Sequence, residues 1–480
     1  MQQNSMLLKR INTLYFIAIV FIGIYFGKER AVFCDSAMQL FGMATSRTPS
    51  VNINMSTTVI NFVLPYIATL LGLSLKTIVW SLAVNYLLLP VFVFLFLRYK
   101  QSSLKYEIAF LVTFSIFNCQ TFYYPIHDYW TGFYLLFILY RIMDDSTLGI
   151  NETTKSRFVY LLVVLIIFTH LSMVISIGFL FMYLFLEKTV TFKNIIQLYS
   201  FIVLVLLIKI LFINSGYQNN VIDIHSFQQL SFHNILSAKS IAEFFPSLYS
   251  TNLNFTLLFV ASVILYIRAK QFLKGLLMFV ILVSSVLVIY LLFGRFGYSV
   301  YTEGYFKSLN IVTGILITDS LFANLKKTTA ISFAVSVVYT ASVGILYNGG
   351  LVFKKQYDFV KNSCKKFNQT VYLKSNRDIC PLEYLAVSRQ SLIINQIENN
   401  KANCIFTLVR NEYYVSFLNN KWIEENKNKP VEHFIFDKGI KYLDADSMQY
   451  PIDSLSVIFG SNTCDDFIKR LSPKSILIDP

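Results

Sequence analysis

Apolar residues along this chain come in blocks, the longer of which reach about 17 to 22 residues, the length needed to cross about 30 Å of hydrocarbon at about 1.5 Å per residue. The blocks predict spans over 11–27, 77–97, 108–124, 129–143, 158–169, 171–186, 195–213, 253–267, 276–293, 308–322 and 330–347. A further segment, 56–75, is apolar enough to enter a membrane, but Pro65 interrupts it and a very short turn joins it to the next span. From about Gly350 onward the pattern changes to short apolar runs, TVYL, CIFTLV, HFIFD, SVIF and SILID, set in polar sequence. That alternation predicts a small α/β domain over 350–480. The expected fold is a polytopic α-helical membrane protein of about 11 transmembrane helices plus one interfacial helix over 1–349, followed by the small C-terminal domain.

Composition agrees: 480 residues with 55% hydrophobic and 14% charged side chains carry more apolar surface than a soluble core can hide. The net charge of +14 would suggest nucleic acid in a soluble protein. Here the lysines and arginines crowd the ends of spans, as they do in cytoplasmic loops, so no nucleic-acid partner is expected. The start, MQQNSMLLKR, has the basic character of a signal peptide. Its apolar run is long and no A-x-A-like site follows, so it reads as a retained first span.

Reading 77–97 as running from outside to inside gathers Arg98, Lys100, Lys105, Arg141, Lys155, Arg157, Lys188, Lys193, Arg268, Lys270, Lys274, Lys326 and Lys327 in the cytoplasm. It leaves Lys239, Arg295 and Lys307 in the opposite short loops and puts the C-terminal domain outside. The first span is undetermined by charge, because Lys9 and Arg10 are balanced by Lys28, Arg30 and Arg47. In one arrangement the N-terminus is cytoplasmic, the loop 28–55 is external, and 56–75 is re-entrant or interfacial. In the other, 56–75 crosses and the loop is cytoplasmic.

The first arrangement gives external loops 28–55, 122–128, 214–252 and 294–307, which bring a sparse polar set to one face: Glu29, Arg30, Asp35, His127, Asp128, Arg295, Glu303 and Lys307. In ERAVFCDSAMQLFGMATSR the carboxylate of Asp35 stands alone on a segment of apolar and small residues. A capping role for Asp35 at the start of a short helix and a catalytic one are compatible, since a helix start holds a carboxylate rigidly. Four cysteines, Cys364, Cys380, Cys404 and Cys464, fall in the C-terminal domain, where an oxidising compartment allows pairing of undetermined connectivity. Wide spacing, no C-x-x-C and a single nearby histidine, His433, argue against zinc.

The order of these features resembles the GT-C superfamily of polytopic glycosyltransferases. There a first span leads into an external loop with an acidic residue, then an amphipathic membrane-surface helix. CDSAMQLF and the segment 56–75, ending LLGLSL, stand in those two places. A span ending LFLRYK and the turn YYPIHDYW follow in order, with Thr169 and His170, and GRFGYSVYTEGYF, further along. Ser36 stands where many members carry a second acidic residue.

The resemblance requires Asp35 outside, which selects the first arrangement. It implies sugar transfer, hexosyl or pentosyl and inverting, from a polyprenyl-phosphate donor to a glycan, lipid or protein acceptor on the extracytoplasmic face of the cell membrane, for glycan assembly in the cell envelope. Asp35 is then the expected base, with Asp128 in reserve and His127 orienting either. Arg295, assisted by Lys307 and Arg30, is expected to grip the donor phosphate, and Glu303, Tyr301 and His170 to line the substrate. A divalent metal on Asp35 would do the same work as a guanidinium; the sequence leaves metal dependence open and requires no cofactor. The competing class is a transporter or flippase of lipid-linked saccharides, which would favour charged residues within spans.

Overall fold

A computed structural model describes residues 2–33, 36–37, 39–40, 43, 53–101, 104–117, 120–123, 128–212, 245–246, 248, 253–293, 306–324, 328–366, 371–374, 387–399, 406–409 and 477–478. Five helices are long and apolar enough to cross a membrane: Met6–Tyr25, Leu75–Arg98, Phe192–Phe212, Phe272–Tyr290 and Thr329–Asn362. Shorter apolar helices accompany them at Ser56–Leu70, Met173–Leu186, Phe255–Arg268 and Ile311–Asn324. The chain is therefore a helical, membrane-embedded protein.

In chain order the helices are α1 (Gln2–Tyr25), α2 (Gly27–Ala31), a 3-10 helix (Ile53–Phe62) leading into α3 (Val63–Leu70), α4 (Leu75–Arg98), α5 (Leu104–Phe117) and α6 (Asp128–Asp144). There follow α7 (Glu152–Ile167), α8 (Met173–Leu186), α9 (Phe192–Phe212), α10 (Leu253–Arg268), α11 (Phe272–Phe293), α12 (Ile311–Asn324) and α13 (Thr328–Lys366). At the centre lie α5 and α12, whose side chains are buried from Tyr106 to Phe117 and from Ile311 to Ser320. The lipid-facing stripes of the outer helices carry exposed Leu14, Phe21, Phe92, Leu95, Leu211 and Phe279.

One end of the bundle holds an ionic network. Arg98 pairs with Glu107 at 3.0 Å and Arg141 with Asp145 at 3.2 Å. Lys105 reaches Glu187 at 3.7 Å and Asp319 at 3.5 Å, while Lys274 pairs with Asp319 at 2.8 Å and also with Glu187. Tyr106 donates to Asp144 at 2.9 Å and Tyr266 to Asp319 at 3.1 Å. Many of the basic residues expected in cytoplasmic loops thus meet at one end, and the buried carboxylates there are each compensated.

α1 and α4 run antiparallel. At the ionic end the Arg98 guanidinium donates to the Lys9 carbonyl at 3.1 Å; at the opposite end Gly27 packs against Trp80 and Ala83. The end of α1 and the start of α4 therefore lie at the same end of the bundle. Pro65, third residue of α3, sits in the first turn, where no intrahelical bond needs its missing N–H.

The expected boundary at 350 falls inside a helix. At 39 residues, α13 is about 58 Å long, well beyond a hydrocarbon core, and runs through Gly349 and Gly350 to Lys366. Of 371–480, the described part is a three-stranded parallel sheet, order β2-β1-β3, of β1 (Val371–Lys374), β2 (Phe406–Val409) and β3 (Leu477–Ile478). The helix α14 (Val387–Asn399) lies between β1 and β2 in sequence. The four C-terminal cysteines belong to residues whose side chains lie outside the described set.

Candidate functional site

The end opposite the ionic network is built around the entry of the 3-10 helix and α3 into the bundle. Asn85 anchors them: its Oδ1 accepts from Leu64 N at 3.1 Å and its Nδ2 donates to Ile60 O at 2.9 Å. Asn85 lies ten residues into α4, about 15 Å along its axis. The segment therefore packs against the first half of α4. A buried amide satisfies backbone groups that the change from 3-10 to α-helix frees from the intrahelical ladder. Beside it, Asn61 Nδ2 donates to Thr131 Oγ1 of α6 at 2.9 Å.

Arg30 is the buried charge of this region. It is 4% exposed; Nε donates to Phe122 O at 3.0 Å and the guanidinium carbon lies 4.0 Å over the Phe122 ring. Among the described residues it makes no ion pair. Burial pushes the guanidinium down to about 10, only partly offset by the phenols of Tyr123, Tyr134 and Tyr86 around it. Burying a cation without a counter-ion costs several kcal/mol unless something anionic joins it. Neighbouring Glu29 is raised by burial, with Lys354, Asp358 and Lys28 as its charged surroundings.

A second polar chain runs from α6 to the approach of α12. The Tyr129 hydroxyl meets His170 Nε2 at 3.2 Å, with the rings 4.3 Å apart. Ser172 N donates to His170 Nδ1 at 3.2 Å, so Nδ1 is the acceptor and a neutral ring carries its proton on Nε2, toward Tyr129. Ser172 Oγ then contacts Ser308 Oγ at 3.2 Å, next to buried Lys307. Both groups attach to the first two turns of α6, through Tyr129, Thr131 and Tyr134.

The structure therefore brings Arg30, His170 and Lys307 to one end of the bundle. Asp128 opens α6 at that end, its side chain outside the described residues; Asp35, His127, Arg295, Tyr301 and Glu303 also lie outside them. Phe33 and Ser36, flanking Asp35 in sequence, are buried, and Ser36 Oγ lies 3.4 Å from the Tyr86 hydroxyl. Sequence reasoning passed over Asn61, Asn85, Tyr86 and Tyr134. The two asparagines carried a usable signal, as lone amides in apolar segments. No three His, Cys, Asp or Glu side chains come together among the described residues.

The C-terminal part meets this end through Glu398 of α14, which pairs with Lys28 of α2 at 2.6 Å and Lys361 of α13 at 2.8 Å and accepts from Tyr357 at 2.7 Å. Burial raises the carboxyl, but these three donors outweigh it and hold Glu398 at about 2.

No protein-family model, curated protein or solved structure matches this chain.

Proposed function

We propose that the protein is a membrane glycosyltransferase of GT-C type, which moves a sugar from a polyprenyl-phosphate donor to an acceptor at the Arg30 end of the bundle. The observation that supports this best is the buried guanidinium of Arg30, which makes no ion pair among the described residues. A bound phosphate would supply a counter-charge in bidentate hydrogen bonds. Under this reading Arg30 moves from an assisting role to the principal phosphate-binding one, with Lys307 and Arg295 assisting.

Asp35 takes the acceptor proton as the acceptor oxygen attacks the anomeric carbon from the face opposite the phosphate. The bond to the phosphate oxygen breaks, its electrons pass to the phosphate, and the configuration inverts. Asp128 and His127 are the reserve base and its orienting group, while His170, Tyr301 and Glu303 line the acceptor side. The Arg30 end is then extracytoplasmic, the ionic end and N-terminus are cytoplasmic, and eleven helices, α1 and α4 to α13, span the cell membrane. The C-terminal α/β domain that follows α13 stands outside.

Pairing of Glu107, Asp319, Asp145 and Glu187 with cations favours this reading over a transporter, whose coupling needs carboxylates free to change partners. The test is sugar transfer in membranes by Arg30→Gln, Arg30→Lys and Asp35→Asn. Arg30→Gln and Asp35→Asn are expected to lose at least about 100-fold, with Arg30→Lys regaining part. Full activity in both charge-removing variants would overturn the assignment.

A further inference from the structure

The ionic end contains a feature that neither sugar transfer nor the ion pairs use. A cavity of about 400 Å³ opens between the α8–α9 and α10–α11 turns, lined among others by Glu187, Lys188, Lys270, Phe272, Leu273 and Lys274. Glu187 and Lys274 neutralise one another within the network of Lys105 and Asp319. Lys188 and Lys270 make no ion pair among the described residues, so the cavity keeps an excess of positive charge.

Their backbone conformations are as telling as their charge. Lys188 and Lys270 stand at φ 59° and φ 58°. Each ends its helix in the same way: Thr189 N returns to Leu184 O at 3.0 Å, and Gln271 N to Tyr266 O at 2.9 Å. That is the helix-ending position where glycine is favoured and a Cβ is strained. Lys100 shares this conformation at φ 53° away from the cavity; what sets Lys188 and Lys270 apart is that both line it. Phe272 and Leu273, 62% and 65% exposed, continue the cavity wall as bare apolar surface.

We propose that this cavity binds the phosphate of an anionic membrane lipid, held between Lys188 and Lys270, with the acyl chains against Phe272 and Leu273. The apolar wall favours a lipid phosphodiester over free phosphate. The position is the one the positive-inside rule gives to the leaflet rich in anionic lipids. The proposal does not depend on the sugar-transfer reading.

The test compares the full-length protein with the double variant Lys188→Gly/Lys270→Gly in nanodiscs of phosphatidylcholine with increasing phosphatidylglycerol, reading the melting temperature. Glycine relieves the left-handed strain, so the variant should melt no lower than wild type in phosphatidylcholine alone. Wild type should gain a saturable increase with phosphatidylglycerol. The variant should need about thirtyfold more of it, each lysine near the membrane surface being worth about a factor of five. Lys188→Gln/Lys270→Gln should lose the same response, which separates charge from strain. Equal gains in wild type and both variants would overturn the site. A gain reproduced by inorganic phosphate in pure phosphatidylcholine would overturn its assignment to a lipid.

Discussion

Replacing Glu398 by Gln removes one charge that three donors share, and its cost can be worked from the contacts. The folded carboxyl sits at about 2 against an ordinary 4.5, which sets a ceiling of about 3 kcal/mol on the pH-linked stabilisation. Lys28 and Lys361 are 27% and 31% exposed, so solvent screening reduces this to about 1–2 kcal/mol. Because the folded value is depressed, the contribution is complete above about pH 4.5 and is lost as the pH falls toward 2. The perturbation acts locally, on the docking of α14 against α2 and α13. Hydrogen exchange at neutral pH should therefore register it as a five- to thirtyfold loss of protection in α14, about 1–2 kcal/mol. After correction for intrinsic exchange, wild type should lose this protection in acid and Glu398→Gln should show little further change. Identical protection in the two proteins at neutral pH would refute the ion-pair account of the docking.

Asn85→Leu orphans Leu64 N–H and Ile60 C=O beside an apolar helix and should cost about 2 kcal/mol, read as a fall in melting temperature; an unchanged melt would remove Asn85 as the anchor of the segment 53–70. Gly314→Ala drives a Cβ into the Thr113 side chain on α5 and should destabilise by about 1–3 kcal/mol. Thr113→Ala in the same chain should restore part of the loss, and a double variant no better than the single one would contradict this packing.

The helical, membrane-embedded character was legible because hydropathy depends on local composition alone, and five of the helices are long and apolar enough to cross. Most helices, including α4, α6, α9 and α11, fall within a few residues of their expected places. The side of the loop after α1 was not fixed by charge. The antiparallel run of α1 and α4 rests on Arg98 meeting the Lys9 carbonyl across 89 residues, a long-range contact invisible to local pattern. Gly349 and Gly350 read as a domain boundary, yet the helix continues through them. Gly350 faces the Phe26 ring, where any Cβ would collide, so this glycine serves close packing rather than a break. Of the residues gathered at the Arg30 end, Arg30, His170 and Lys307 stood out in the sequence as ionisable groups. Asn85 and Asn61 act through backbone partners and a neighbouring helix, which no motif encodes.

The most direct test of the account is to reconstitute the purified protein in sealed vesicles with a polyprenyl-phosphate sugar and an acceptor, and to follow release of polyprenyl phosphate. Sugar transfer matched by polyprenyl phosphate release, and abolished in Arg30→Gln, is the predicted result. Movement of the intact lipid-linked sugar across the bilayer with no release would contradict it and make the protein a transporter.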